Sequence, residues 1–223
     1  MSQHFQSNSR ICRYYYRFLC EGKAPQFISN VSEQYTLSTL HRLTSSGDPV
    51  TRRGAVLAVS FLGGASSVPV VGRCLSDGDR AVRLIASDGI HGLWTRSGSP
   101  SQCHRLQKLA RLNACGQYEE VIEGCSALLE ENDGFAEAWH QRAVAIGSHL
   151  GSVAALKDFL SALESDPFHF TSAVAVAECY RELEDPSTAL GYFQRALAIY
   201  PDQEFARIQV ALLERADGER LDR

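Results

Sequence analysis

Residues able to do chemistry are thinly spread through this 223-residue chain. Asp77 and Asp79 in "DGDRAVRLIASDG" have the spacing that opens a calcium-binding loop. The fifth place holds Ala81 and the sixth Val82, where such a loop needs an oxygen ligand and a glycine. A helix cap is therefore expected there instead of a calcium site. The seven histidines are dispersed, and His140 and His149 stand too far apart to share one helical turn. Cys12, Cys20, Cys74, Cys103, Cys115, Cys125 and Cys179 include no CxxC pair, so they read as free thiols in a reducing compartment. No GxGxxG, P-loop, HExxH or GxSxG stretch occurs. Asn30-Val31-Ser32 has the form of a glycosylation sequon, which is coincidence without a secretory signal. The expectation is a non-enzyme with no metal and no cofactor.

"RICRYYYRFLC" is the one basic-aromatic stretch. On a helix Arg10, Arg13 and Arg17 share a face, while Tyr14, Tyr15, Phe18 and Leu19 spread over the others. Such a helix suits docking on phosphates or a membrane surface. The plainer reading is a capping helix whose aromatics cover the first repeat while the arginines stay solvated.

Composition is that of an ordinary globular protein, 44% hydrophobic and 22% charged. The longest apolar run, "AVLAVSFLGGA", is too short to span a bilayer, which takes about 20 residues. The N-terminus lacks the apolar segment and cleavage site of a secretory signal, so a cytoplasmic protein is expected. The net charge of -4 conceals an asymmetry. Residues 1–100 carry 11 Lys/Arg and 6 Asp/Glu, and residues 101–223 carry 11 and 20. Two units with different surfaces follow.

The elements behind these residues are repeats. "ALGYFQRALAIYP" (189–201) lies 34 residues after "ALKDFLSALESDP" (155–167), with alanine, phenylalanine, alanine and proline in register. A looser copy, "VIEGCSALLEEND", occupies 121–133. Ala143 falls in step with Ala177, and Ile146 with Tyr180. A period near 34 accommodates two helices and two turns. Small residues let the paired helices approach, the aromatic fills the space beside them, and proline ends the second helix.

On "AEAWHQRAVAIGSHLGSVAALKDFLSALESDP" and "AVAVAECYRELEDPSTALGYFQRALAIYP", this half resembles the tetratricopeptide repeat (TPR) family. Three units fit, 102–135, 136–169 and 170–203, and Trp139 stands in the family's tryptophan column. Residues 204–223 then make a solvating end helix and tail. In the basic half, "DPVTRRGAVLAVSFL" and "DRAVRLIASDGIHGL" superimpose at an offset of 31, matching Asp48 with Asp79 and Arg52 with Arg83. Each Asp suits an N-cap. Residues 31–100 are similar to HEAT-type repeats, although their period is short for that class, and residues 1–30 would cap them. The whole chain resembles bacterial hybrid HEAT/TPR proteins. The implied fold is all-α, a right-handed α-α superhelix (α-solenoid) of HEAT-like and then TPR hairpins.

The TPR resemblance implies a non-catalytic scaffold or adaptor that holds a protein or peptide in a concave groove lined by first helices. Carried over by position, the groove residues are Leu106, Ala110 and Asn113, then Glu137, His140 and Val144, then Thr171, Val174, Glu178 and Arg181. A Lys/Asn/Arg clamp for chaperone C-termini is missing, since Leu106, Ala110, Gln141, Thr171 and Ala175 stand in its places. An apolar and basic partner segment fits better than an acidic one. The alternative is polyanion or nucleic-acid binding through Arg52, Arg53, Arg80 and Arg83 of the basic half. It is the less favoured reading, because a surplus of five positive charges is modest. An enzyme built on HEAT-like repeats ranks third, because no nucleophile or acid–base pair stands out.

Overall fold

Helix starts are written into the sequence as a capping side chain followed by proline. Asp48, Ser99 and Asp185 each accept a hydrogen bond from the first turn of a helix whose first residue is Pro49, Pro100 or Pro186. Ser99 completes a capping box with Gln102. Asp79 caps the helix that follows it, accepting from the Val82 N–H, so the pair of carboxylates in "DGD" serves helix initiation.

The computed structural model describes residues 9–221, with side chains to Asp217. Among these residues every regular element is helical, and none of the helices is long and apolar enough to cross a membrane. The first eight residues of the expected N-terminal cap, and the last two of the tail, lie outside the described residues. Two compact units divide between Ser97 and Gly98.

The first unit contains α1 (Arg10–Glu21), α2 (Ala24–Gln34), α3 (Leu37–Leu43), α4 (Pro49–Leu62), α5 (Val68–Cys74) and α6 (Arg80–Thr95), with a 3-10 turn at Ala65–Ser67. Helix α4 is central and packs against α1, α3 and α6. Small residues set how closely it does so. A Cβ on Gly89 of α6 would stand 2.4 Å from the Ser60 Cβ of α4. Helix α1 buries Ile11, Cys12 and Tyr15, and Phe18 meets Phe27 and Phe61 at ring distances of 5.5 and 6.2 Å. Arg13 and Arg17 stay exposed. Helix α1 thus lays its apolar side chains on α2 and α4.

The second unit runs as α7 (Pro100–Ala114), α8 (Tyr118–Glu131), α9 (Ala136–Leu150), α10 (Ser152–Ser165), α11 (Phe170–Glu182), α12 (Pro186–Ile199) and α13 (Glu204–Leu221). Consecutive helices pack on one another throughout. The alanine columns fall inside: Ala143, Ala155, Ala177, Ala189 and Ala196 share one core with Phe159 and Phe193. Their small side chains let helix backbones approach, and the phenylalanines fill the space left over. Helix α10 ends one residue before Asp166-Pro167, and α12 ends one before Tyr200-Pro201, where proline cannot continue the helix.

The turns inside the first and third hairpins obey one conformational demand. Gly116 adopts φ 77°, and Glu184, 68 residues later, adopts φ 58°. A left-handed conformation costs a residue with a Cβ about 1–2 kcal/mol, whereas glycine and asparagine tolerate it. Replacing Glu184 with Asn should therefore stabilise the protein by about 0.5–1 kcal/mol. Calorimetry should show Tm raised by roughly 2–4 °C for a chain of this size. The reverse experiment, Gly89→Val, should lower stability by about 1–3 kcal/mol through overpacking between α4 and α6.

Candidate functional site

The first helices of the three hairpins carry a continuous polar chain where apolar packing is the rule. Asn113 on α7 donates through Nδ2 to the Gln141 carbonyl and to Gln141 Oε1, both at 3.0 Å. Gln141 Nε2 donates to Glu137 Oε1 at 2.8 Å. The other carboxylate oxygen of Glu137 lies 3.2 Å from His169 Nε2. His169 Nδ1 in turn meets Ser172 Oγ at 2.9 Å and Thr171 Oγ1 at 3.2 Å. Ser172 Oγ closes the chain on His140 Nδ1 at 2.8 Å. The two imidazoles lie 4.9 Å apart between ring centres, with Phe159 against His140 at 5.5 Å.

Helix periodicity positions these groups. Glu137 and Gln141 are four residues apart on α9, and His140 shares that side. His169 is the N-cap residue of α11, and Ser172 sits one turn into that helix. Burial pushes the Glu137 carboxyl up, but the His169 hydrogen bond, the charges of both histidines and the Gln141 bond outweigh it. The net effect holds Glu137 below the usual glutamate range.

Glu137, His169 and Ser172 have the residue types of a carboxylate–histidine–nucleophile triad. His169 and Ser172 are, however, fully buried, and a substrate carbonyl cannot reach Oγ. The arrangement locks α9 to α11. Beside it, Arg142 reaches Asp158 of α10 through two bonds of 2.6 and 3.0 Å and Ser126 of α8 at 2.9 Å. Its guanidinium also stacks 4.7 Å from the Trp139 ring centre, while Trp139 Nε1 donates to the Asp133 carbonyl. Trp139 thus anchors the loop between α8 and α9.

The ten groove residues divide by burial. Leu106, Asn113 and Glu137 are buried and pack within the unit, which corrects their assignment as surface contacts. Asn113 and Glu137 face the next hairpin, meeting Gln141 and His169, and Leu106 lies in the apolar core that α7, α8 and α9 share. His140 is half-buried and turned toward Ser172. Ala110, Val144, Thr171, Val174 and Glu178 are half-buried, and Arg181 is exposed. Glu178 and Arg181 pair with each other at 2.9 Å. His169, Ser172 and Gln141 escaped the sequence reading because it sought partners within one helix. Their legible signal was a spacing of 28 or 32 residues, just short of the 34-residue period, which joins neighbouring first helices.

Of the four arginines singled out in the basic half, Arg52, Arg53 and Arg83 bond within its scaffold. Arg52 grips Asp77 with two bonds of 2.8 Å, and Arg53 grips Asp79 at 2.8 and 2.6 Å. Arg53 holds the Asp79 carboxyl down at about 2. Arg52 also donates to the Ser46 carbonyl, and Arg83 donates to that of Asp77, 31 residues later in both donor and acceptor. The 31-residue offset in the sequence thus recurs in these arginine-to-carbonyl bonds. Arg80 is exposed on the first turn of α6.

Among the described residues no cluster of His, Cys, Asp and Glu could hold a metal ion. None of the cysteines forms a disulfide. Burial pushes the Cys125 thiol up to about 12 and those of Cys74 and Cys179 to about 11, so these three are packing residues. The sequence matches no protein-family model, and no curated protein is significantly similar to it.

Because folding lowers the Glu137 pKa, its network stabilises the protein above the glutamate range, and that contribution fades as pH falls through the folded value. Glu137→Gln should cost about 1–3 kcal/mol at neutral pH. The difference from the wild type should shrink as pH falls below the usual glutamate range in thermal melts followed into acid.

Proposed function

We propose that this chain is a non-catalytic, cytoplasmic scaffold whose C-terminal half is a TPR array that binds a partner segment along its first helices. The observation that carries the reading is the row Ala110, Val144 and Glu178. These residues recur at 34-residue intervals on α7, α9 and α11, and each is only half-buried. Val174 and Thr171 widen the row on α11. Internal bonds between first helices hold these side chains in fixed register, which lowers the ordering cost of binding.

The chemistry of the row sets the partner class. Alanine and valine offer apolar contact, and Glu178 adds a carboxylate in a unit whose sequence is strongly acidic. An extended or helical segment that alternates apolar and basic residues complements it. The HEAT-like half supports the array as a second helical scaffold, with Arg52 and Arg53 serving its internal cohesion.

Peptide display against the intact chain tests this. Apolar-basic sequences should be enriched over apolar-acidic ones by at least about tenfold, equivalent to 1.4 kcal/mol. The triple variant Val144→Asp, Val174→Asp, Glu178→Arg should lose that enrichment while retaining its helical circular dichroism. Equal enrichment by the wild type and the triple variant would count against the row as the binding surface.

A further inference from the structure

In the first unit the loop between α3 and α4 and the last turn of α5 border an open cleft of about 310 Å³. Val70 and the buried Cys74 are its apolar lining, and Thr44, Ser45 and Ser46 bring hydroxyls. The Thr44 hydroxyl donates to the His41 carbonyl at 2.7 Å. The hydroxyls of Ser45 and Ser46 have no partner among the described residues. Two arginines line the cleft in different states. Arg52 is committed to both carboxylate oxygens of Asp77 and to the Ser46 carbonyl. One of those oxygens also accepts from the Asp79 N–H at 2.7 Å. That ion pair is neutral, so Arg73 carries the net charge of the cleft. Arg73 is exposed, and among the described residues its guanidinium has neither a hydrogen bond nor an ion pair. The end of a helix favours a cation, and Arg42 holds the matching place at the end of α3. Arg42 lies outside the cleft, whereas Arg73 shares it with the two serines.

We propose that this cleft binds a phosphoryl group, carried by a small phosphomonoester or present as free phosphate. Arg73 supplies a fork of N–H donors that matches two phosphate oxygens. Ser45 and Ser46 supply hydroxyl donors from the facing loop. The shape of the anion decides between phosphate and carboxylate. A planar carboxylate has two oxygens, and the arginine fork occupies both. A tetrahedral phosphate has oxygens left over for the hydroxyls. Charge limits the ligand further. One uncompensated arginine, with the Asp77 carboxylate in the same cleft, suits a single phosphoryl group and not a polyanion. The remaining volume takes the organic part of a small ester beside Val70. His41 reports on the site: burial first, and the charge of Arg73 second, hold its imidazole below the usual range. An anion on Arg73 changes the field at that ring. No residue of the second unit contributes, so the inference is independent of the peptide-binding reading.

Titration of the intact chain with inorganic phosphate, O-phosphoserine and acetate, followed by NMR at constant pH and ionic strength, tests the proposal. Phosphate or O-phosphoserine should move the amide signals of Ser45, Ser46 and Arg73 and the ring signals of His41. The shifts should saturate with a dissociation constant on the order of 1 mM. Arg73→Gln changes an exposed side chain and should weaken binding by about tenfold or more while the rest of the spectrum is retained. Arg73→Lys keeps the charge without the fork and should weaken it by about threefold. Arg42→Gln removes the same charge outside the cleft and should leave the affinity within about twofold. Tighter binding of O-phosphoserine assigns the site to an ester, and tighter binding of phosphate assigns it to the free ion. Shifts that do not saturate by about 20 mM overturn the proposal. Undiminished binding by Arg73→Gln overturns it too, as does an equal loss in Arg42→Gln. Acetate bound as tightly as phosphate overturns the assignment to a phosphoryl group.

Discussion

Close approach of helices through alanine is the constraint on which the second unit depends. Where Ala143, Ala155, Ala177, Ala189 and Ala196 meet, little side-chain volume separates the backbones. Such a seam contributes less apolar burial than one built from leucine, since burial scales with area removed from water. It also leaves the helices free to slide unless something fixes register. Phe159 and Phe193 supply bulk at one point of each hairpin. The polar ties supply register: Arg142 with Asp158 within a hairpin, and Glu137 with His169 between hairpins.

This explains why so many ionisable groups are buried in a protein read as having no catalytic centre. A carboxylate bonded to a histidine inside a helical array resembles reactive chemistry in residue types alone. Its geometry is that of a brace. Each donor and acceptor in the chain from Asn113 to His140 lies on a first helix or at its N-terminal cap, and the network links α7, α9 and α11. Directional bonds fix one register, whereas apolar contact alone tolerates several. The first unit solves the same problem at its surface, where Arg52 and Arg53 grip the carboxylates before α6.

The repeat logic also shows what the interior columns have in common with the outward face of α13. A column that is harmless when covered becomes an apolar stripe when it is not. Along one column Leu106 is buried, His140 and Val174 are half-buried and Ile208 is exposed.

Much of this was legible in the sequence. The helical class, the 34-residue register, the capping Asp48 and Asp79 and the prolines that close α10 and α12 depend on local propensity and spacing. Local physics is fully encoded along the chain. The exposure of the first-helix side chains was legible only in part. Position within a repeat identified the first helices but did not separate side chains that face open space from those covered by the next helix. Leu106, Asn113 and Glu137 fell on the covered side. Left to tertiary structure were the meeting of Glu137, His169, Ser172 and His140, the engagement of Arg52 and Arg53, and the exposure of Phe205, Ile208 and Leu212. Each of these depends on which helix lies against which, and that is settled only when hairpins stack and bury what their neighbours cover.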